Sequence, residues 1–170
     1  MNIINIQYHK TKIGELILGS FDNRLCLLDF RYRKMRTTVD NRIKIGLIAD
    51  FLEQNNATLT KAKEQLDEYL TGNRKEFDIP LLMIGTDFQK SVWNALIKIP
   101  YGTTSTYLQL AKNINNAKAV RAVAGANGAN AIALAIPCHR IIESTGALGG
   151  YGGGLTVKKY LIELEQSNAL

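Results

Sequence analysis

Apolar and polar positions alternate over the first thirty residues. The runs NIINIQYHK, GELILGSF and LCLLDFRYR are short, rich in β-branched and aromatic side chains, and read as strands. Asp22-Asn23 between the second and third is a two-residue turn, which predicts a hairpin. The period then lengthens. Ile43, Leu47, Ile48 and Phe51 recur at helical spacing and predict a helix from Val39 to Leu52. A second helix runs from Leu59 to Leu70, with Thr60 as its cap and Gly72 as its stop. Pro80 in Phe77-Asp-Ile-Pro-Leu confines that extended piece to a sheet margin.

The pattern changes near Gly85. Phe88, Val92, Leu96 and Ile97 line one side of a helix opened by Thr86 or Asp87 and ended by Pro100 and Gly102. TTSTYLQLAKNI and AKAVRAVAGANG follow as two short helices around a polar turn at Asn115-Asn116, the spacing of a helix-turn-helix. A glycine-rich loop, GALGGYGGG, and a last helix from Thr156 to Glu165 close the chain. The expected architecture is α/β of the α+β kind. Residues 1–83 form an N-terminal sheet-and-helix domain; residues 84–170 form a mainly helical C-terminal domain with the helix-turn-helix.

Composition narrows the class. At 170 residues, 46% hydrophobic and 21% charged, the chain can bury one good core or two small ones. It lacks a signal-peptide pattern and any apolar run near the roughly 20 residues that span a bilayer, so a cytoplasmic location without membrane contact is expected. Two cysteines, Cys26 and Cys138, are too few for a disulfide scaffold and fit a reducing compartment. The net charge is +6. Residues 84–170 hold 8 Lys/Arg against 4 Asp/Glu, so most of the excess sits in the C-terminal half and suits a polyanionic partner.

The chemistry gathers in AIPCHRIIE, residues 135–143. A free cysteine is commonly a buried small hydrophobe. Here a histidine and an arginine follow Cys138, and Pro137 stiffens the chain before it; a thiolate nucleophile needs nearby positive charge and a base. His139 is the candidate base, since His9 lies in the first strand. Adjacent residues of an extended segment face opposite ways, so Cys138 and His139 cooperate only through a turn or a bridging water. A third group must orient the imidazole, and the last helix offers both Glu163 and Glu165.

The segment resembles the active-site signature of the O6-alkylguanine-DNA alkyltransferases, Pro-Cys-His-Arg followed by two aliphatic residues, here Pro137 to Ile142. The likeness extends from about Phe88 to Glu165 and includes IPYGTTSTY, AVRAVAGAN, the Asn130 eight residues before the cysteine, the Tyr151 thirteen after it, and GGLTVKKYLIELE. The resemblance implies a DNA repair protein that extrudes O6-alkylguanine from the duplex and transfers the alkyl group irreversibly to its own cysteine, once per molecule, without a cofactor. It makes Cys138 the acceptor, His139 the base acting through a water, Glu165 its orienting partner, Asn130 a hinge and Tyr107 a donor that helps rotate the nucleotide. It makes Arg121 a finger filling the gap in the stack and Tyr151 part of the loop over the base. Backbone at Cys138 and Ile141 accepts from the guanine amino group, and Gly152 and Arg140 join the base-binding set. The partner is double-stranded DNA gripped through its minor groove without sequence preference, by a monomer.

The helix from Ala117 to Ala126 carries Ala117, Ala119, Ala122, Ala124, Gly125 and Ala126. It is a poor reader of base edges, and suits either packing on a neighbouring helix or backbone approach to a minor groove. Some relatives bind a structural zinc in the N-terminal domain; Cys26 and His9 are too few for such a site, so no metal is expected. Rival readings are a lesion-binding protein without transfer, a helix-turn-helix regulator and a cysteine hydrolase.

Overall fold

A computed structural model describes residues 1–169 as two compact units, Met1–Gly85 and Thr86–Leu170. In the first, β1 (Asn2–Thr11), β2 (Gly14–Phe21) and β3 (Arg24–Phe30) form an antiparallel meander. Asp22 and Asn23 both adopt positive φ, 53° and 58°, the backbone a two-residue hairpin needs to match strand twist. The sheet order is β3-β2-β1-β4. Strands β2 and β3 bury Leu16–Ser20 and Leu25–Phe30 without interruption, which is why these stretches are almost continuously apolar.

The helix expected over Val39–Leu52 is a correction. Helix α1 spans Arg36–Leu47 and buries Val39 and Ile43, and Ala49–Glu53 is a strand, β4, paired parallel to β1. Ile48 turns left-handed at φ 49° and ends the helix. It is 76% exposed, so its helical spacing reported no buried face. The hydrogen bonds that make β4 a strand come from Asn2–Ile6, more than forty residues away, and no local period contains them.

Helix α2 (Ala57–Leu70) lays Leu59, Ala62, Leu66, Tyr69 and Leu70 into the core of this unit. Its cap is Asn56, whose side chain accepts from the Leu59 N–H at 2.9 Å, in place of the expected Thr60. Asn56 holds the capping geometry because its Nδ2 also donates to Ser20 Oγ on β2, at 2.7 Å. Leu81 bridges Leu25 at the margin of the sheet, just after Pro80.

The second unit opens with α3 (Asp87–Ile97). Thr86 and Gln89 form a reciprocal capping box, satisfying two N–H groups that a helix start leaves unpaired. The buried face is Val92, Trp93 and Leu96, while Ile97 is 44% exposed, against expectation. Trp93 donates its indole N–H to the Ala126 carbonyl at 2.9 Å and so fixes α3 against α5. A two-stranded parallel pair, β5 (Ser105–Thr106) with β6 (Ile141–Ile142), brackets α4 (Tyr107–Asn113) and α5 (Val120–Gly128). Helix α6 (Leu155–Ser167) ends the chain. Among the described residues no helix is long and apolar enough to cross a membrane.

Candidate active site

The chain stays buried from Ile136 through Ile141, and after Pro137 the residues Cys138–Arg140 form one turn of 3-10 helix before β6. The turn removes the strict alternation of an extended chain, the geometric requirement that adjacent Cys138 and His139 raise. Asn130 braces this turn. Its Nδ2 donates to the Ile136 carbonyl at 2.8 Å, and its Oδ1 accepts from the Ile132 N–H at 2.9 Å. Ile136 O also accepts from the Cys138 N–H at 2.8 Å, so one carbonyl couples the asparagine to the cysteine.

The histidine is completely buried, and Glu165 is 1% exposed beside it. His139 Nε2 lies 2.7 Å from Glu165 Oε2. With Nε2–H donating to the carboxylate, Nδ1 of a neutral ring is the proton acceptor. Burial, with the positive charges of Arg140 and Lys158, pushes the His139 pKa down against the raising effect of Glu165, so the ring is neutral and able to act as a base. Burial raises the Glu165 carboxyl, but the hydrogen bonds and charges of His139 and Arg140 outweigh it and hold the pKa at about 2. Of the two glutamates on the last helix, Glu165 is the inward one; Glu163 is exposed.

Arg140, expected in the base-binding set, is turned inward. Its guanidinium is buried, with Nε and Nη2 donating to Glu165 at 2.7 and 3.0 Å, and Nη1 donating to the Ile99 carbonyl at 2.6 Å. Tyr101 lies under the same group, 5.7 Å from ring centroid to guanidinium carbon. The guanidinium is committed to the carboxylate that holds His139.

The remaining residues fall on two sides of the turn. Cys138 is 7% exposed. Tyr107, the first residue of α4, is half-buried; burial, then the negative charges of Cys138 and Glu143, push its hydroxyl pKa up, so it keeps its proton. Gly149 packs against it at φ 72°, where a Cβ would meet the Tyr107 hydroxyl at 3.1 Å. Tyr151 is half-buried in the same loop and Gly152 is exposed. Ile141 is buried, and its N–H donates to the Cys138 carbonyl. Arg121 stands apart from this group on the outer face of α5, in line with Ala122, Gly125 and Gly128, all exposed. A Cβ on either glycine would enter open space. The buried side of α5 is Val123, Ala126 and Asn127, so small residues serve packing on one face and leave a smooth face outside.

Cys26, the other thiol, is buried, and desolvation pushes its pKa up to about 12, which leaves it protonated and inert at neutral pH. Among the described residues no group of three or more His, Cys, Asp or Glu side chains is arranged to hold a metal ion. The sequence reading missed Lys158. Its signal was present: Lys158, Leu161 and Glu165 share one stripe of α6, and all three are buried.

Residues 87–167 match the model of the 6-O-methylguanine DNA methyltransferase DNA-binding domain, and residues 4–83 match that family's ribonuclease-like domain. The methylated-DNA–protein-cysteine methyltransferase of Methanosarcina barkeri is 43% identical over 159 residues, 94% of this chain and 95% of that protein. The constitutive enzyme of that name from Bacillus subtilis is 37% identical, over 92% of each chain. The crystal structure of Mycobacterium tuberculosis OGT in complex with DNA superposes with a TM-score of 0.84 at 38% identity, covering 96% of this chain and 94% of that one. Both units and the site between Tyr107 and Glu165 therefore fall within one set of relatives, and the chain belongs to the 6-O-methylguanine DNA methyltransferase family.

Proposed function

We propose that this DNA repair alkyltransferase flips O6-alkylguanine out of duplex DNA and moves the alkyl group to Cys138, once per molecule, acting as a cytoplasmic monomer. One observation carries the reading. Glu165, whose carboxylate contacts His139, is buried and anionic, and it anchors the imidazole by the nitrogen that leaves Nδ1 as acceptor. That is a general base built next to a thiol.

The steps balance simply. The Cys138 proton passes through a water to His139, and the imidazolium is stabilised by Glu165. Sulfur attacks the alkyl carbon in line, the carbon–O6 bond breaks, and the electron pair leaves on guanine. Tyr107 donates a hydrogen bond to the departing base, whose amino group is held by the backbone carbonyls of Cys138 and Ile141. The Cys138 carbonyl already accepts from Ile141 N–H, and its second lone pair serves the guanine. The product is a thioether, which water does not hydrolyse, so the protein is consumed.

DNA is held by the outer face of α5. Its small residues let the backbone approach a minor groove without reading sequence, and Arg121 enters the stack where the base has left. Tyr151 and Gly152 cover the extruded base, and Asn130 keeps the α5-to-cysteine connection rigid while this happens.

The test is mass spectrometry after incubation with duplex containing O6-methylguanine. The expected result is a single methyl gain on the peptide carrying Cys138. Cys138→Ala gives no gain and still binds the alkylated duplex; Cys26→Ala gains the methyl as before. Binding without any mass gain would instead indicate a lesion-binding protein, and a gain on Cys26 would overturn the assignment.

A further inference from the structure

One face of the first unit concentrates positive charge and aromatic surface that the mechanism above does not use. The strand registers set out its floor. Tyr8 lies opposite Ile17, and Ile17 opposite Asp29; Lys10 lies opposite Glu15, whose carbonyl accepts from the Arg31 N–H at 3.0 Å. Directly opposed residues share a face, so Tyr8, Lys10, Glu15 and Arg31 stand together on one side of the sheet. The Arg31 guanidinium lies over the Tyr8 ring, 3.7 Å from its centroid, and 5.2 Å from the centroid of Tyr32. Glu15 closes the group: it accepts from Arg31 Nη1 at 3.2 Å and from the Tyr32 hydroxyl at 3.1 Å. Tyr32 is thus held by its tip and backed by a guanidinium, yet 75% of it is exposed. The connection that carries it is tied down as well. Arg33 and Arg36, on either side of Lys34, both reach the buried Asp29, at 3.1 Å each. Around the ring, Lys10, Lys12 and Lys34 are exposed. Residues 8–15 and 31–36 hold six Lys/Arg and one Asp/Glu, against 13 and 11 over residues 1–83, so the rest of the unit is net negative.

We infer that this face of the first unit is a second nucleic-acid site: an unpaired base stacks on the open face of Tyr32, and Lys10, Lys12 and Lys34 take the flanking phosphates. An exposed tyrosine ordinarily moves among rotamers, and a base that stacks on it must stop that motion. Here the Glu15 bond and the Arg31 contact restrain the ring beforehand, so stacking loses less entropy. Every base has a π face, so such a platform accepts single strands without sequence preference. A duplex keeps its bases stacked on one another and offers this face only its backbone. Single-stranded DNA is therefore the ligand that engages both the ring and the lysines. The Glu15 carboxylate opposes it little, because Arg31 neutralises that charge at 3.2 Å. The inference goes beyond alkyl transfer and does not depend on the role of Cys138.

The test uses the full chain and two probes, a fluorescein-labelled oligodeoxythymidine and a lesion-free duplex of the same length, with anisotropy read across a salt series. Tyr32→Ala is expected to weaken binding of the single strand about tenfold, the effect of one stacked base, and to leave duplex binding unchanged. Tyr32→Phe keeps the ring and retains most of the affinity. Lys34→Ala makes the single-strand salt slope shallower by about 0.7, the share of one phosphate. Placing 5-iododeoxyuridine in the oligomer and irradiating the complex maps the contact, and mass spectrometry is expected to find the cross-link on the peptide carrying Tyr32. Unchanged single-strand affinity in Tyr32→Ala overturns the inference. So does an equal loss on both probes, an unchanged salt slope in Lys34→Ala, or cross-links confined to the second unit. Tyr32 is exposed, so its replacement leaves the core intact, and Tyr32→Ala should transfer methyl from alkylated duplex as wild type does. Failure of the alkyl-transfer reading is separate, since it appears as absence of methyl on wild-type Cys138 whatever the single-strand affinities.

Discussion

Replacing Glu165 by glutamine removes one charge from the centre of the second unit and almost no volume. The carboxylate accepts from His139 Nε2 at 2.7 Å and from Arg140 Nε and Nη2 at 2.7 and 3.0 Å, and all three side chains are buried. The amide keeps one accepting oxygen, so its nitrogen faces either Arg140 Nε or the pair His139 Nε2 and Arg140 Nη2, donor against donor in a buried site. Removing one partner of a buried ion pair costs about 3–5 kcal/mol. For a chain of this length that is roughly 10 °C or more in melting temperature.

The pH dependence makes the test sharper. Glu165 is depressed from 4.5 to about 2. Its contribution, on the order of 3 kcal/mol, is present above the unfolded pKa and is lost as pH falls through the folded one. His139 adds to this: its folded pKa is lowered, so below the unfolded value of 6.5 the unfolded chain takes up the proton first and stability falls further with acid. Urea unfolding across a pH series should show Glu165→Gln less stable at neutral pH and flatter than wild type between 4.5 and 2. Transfer should slow about a hundredfold or more at neutral pH, the general-base share of the rate, and by less in alkali, where hydroxide removes the thiol proton. A variant within about 1 kcal/mol of wild type, with the same acid profile, would refute the argument that this carboxylate is the anchor. A rate loss equal at every pH, with the fold intact, would reduce it to a structural glutamate.

Three other outcomes follow from the geometry. Arg121→Ala should slow repair most where the lesion is well paired, and less opposite a mismatch or abasic site; an equal loss on both, with a salt slope shallower by about one unit, would make Arg121 a phosphate contact. Gly149→Ala puts a Cβ at positive φ and 3.1 Å from the Tyr107 hydroxyl, so it should cost about 1 kcal/mol in stability and slow transfer by displacing the tyrosine, both read against wild type in thermal melts and single-turnover assays. Asn130→Ala leaves the Ile136 carbonyl and the Ile132 N–H without their side-chain partner in a buried turn, and thermal denaturation should show a loss of about 2–4 kcal/mol.

By itself the sequence determined the features whose causes are local. The Asp22-Asn23 hairpin, the helix start at Thr86 or Asp87, the two short helices around Asn115 and the stop after Leu70 depend on residues within a few positions of each other, so pattern and turn chemistry suffice to predict them. The Pro-Cys-His-Arg stretch was legible for the same reason, as was the family resemblance that ranked Glu165 above Glu163. Tertiary structure decided whatever depends on a distant partner. Strand β4 exists because β1 offers it hydrogen bonds, and helical spacing through Phe51 carried no trace of them. Asn56 displaced Thr60 as a cap because Ser20, on another strand, holds it in place. Arg140 sits beside the thiol in sequence, where a cation invites a functional role toward DNA; folding brings Glu165 to it from the last helix and turns it inward. Lys158 and Glu165 lie on a stripe that reads as a charged surface until the chain packs against it. Burying a charge is tolerated only beside partners that compensate it, and those partners come from the turn at 138–140 and the loop at 148–150, which no local pattern on α6 reveals.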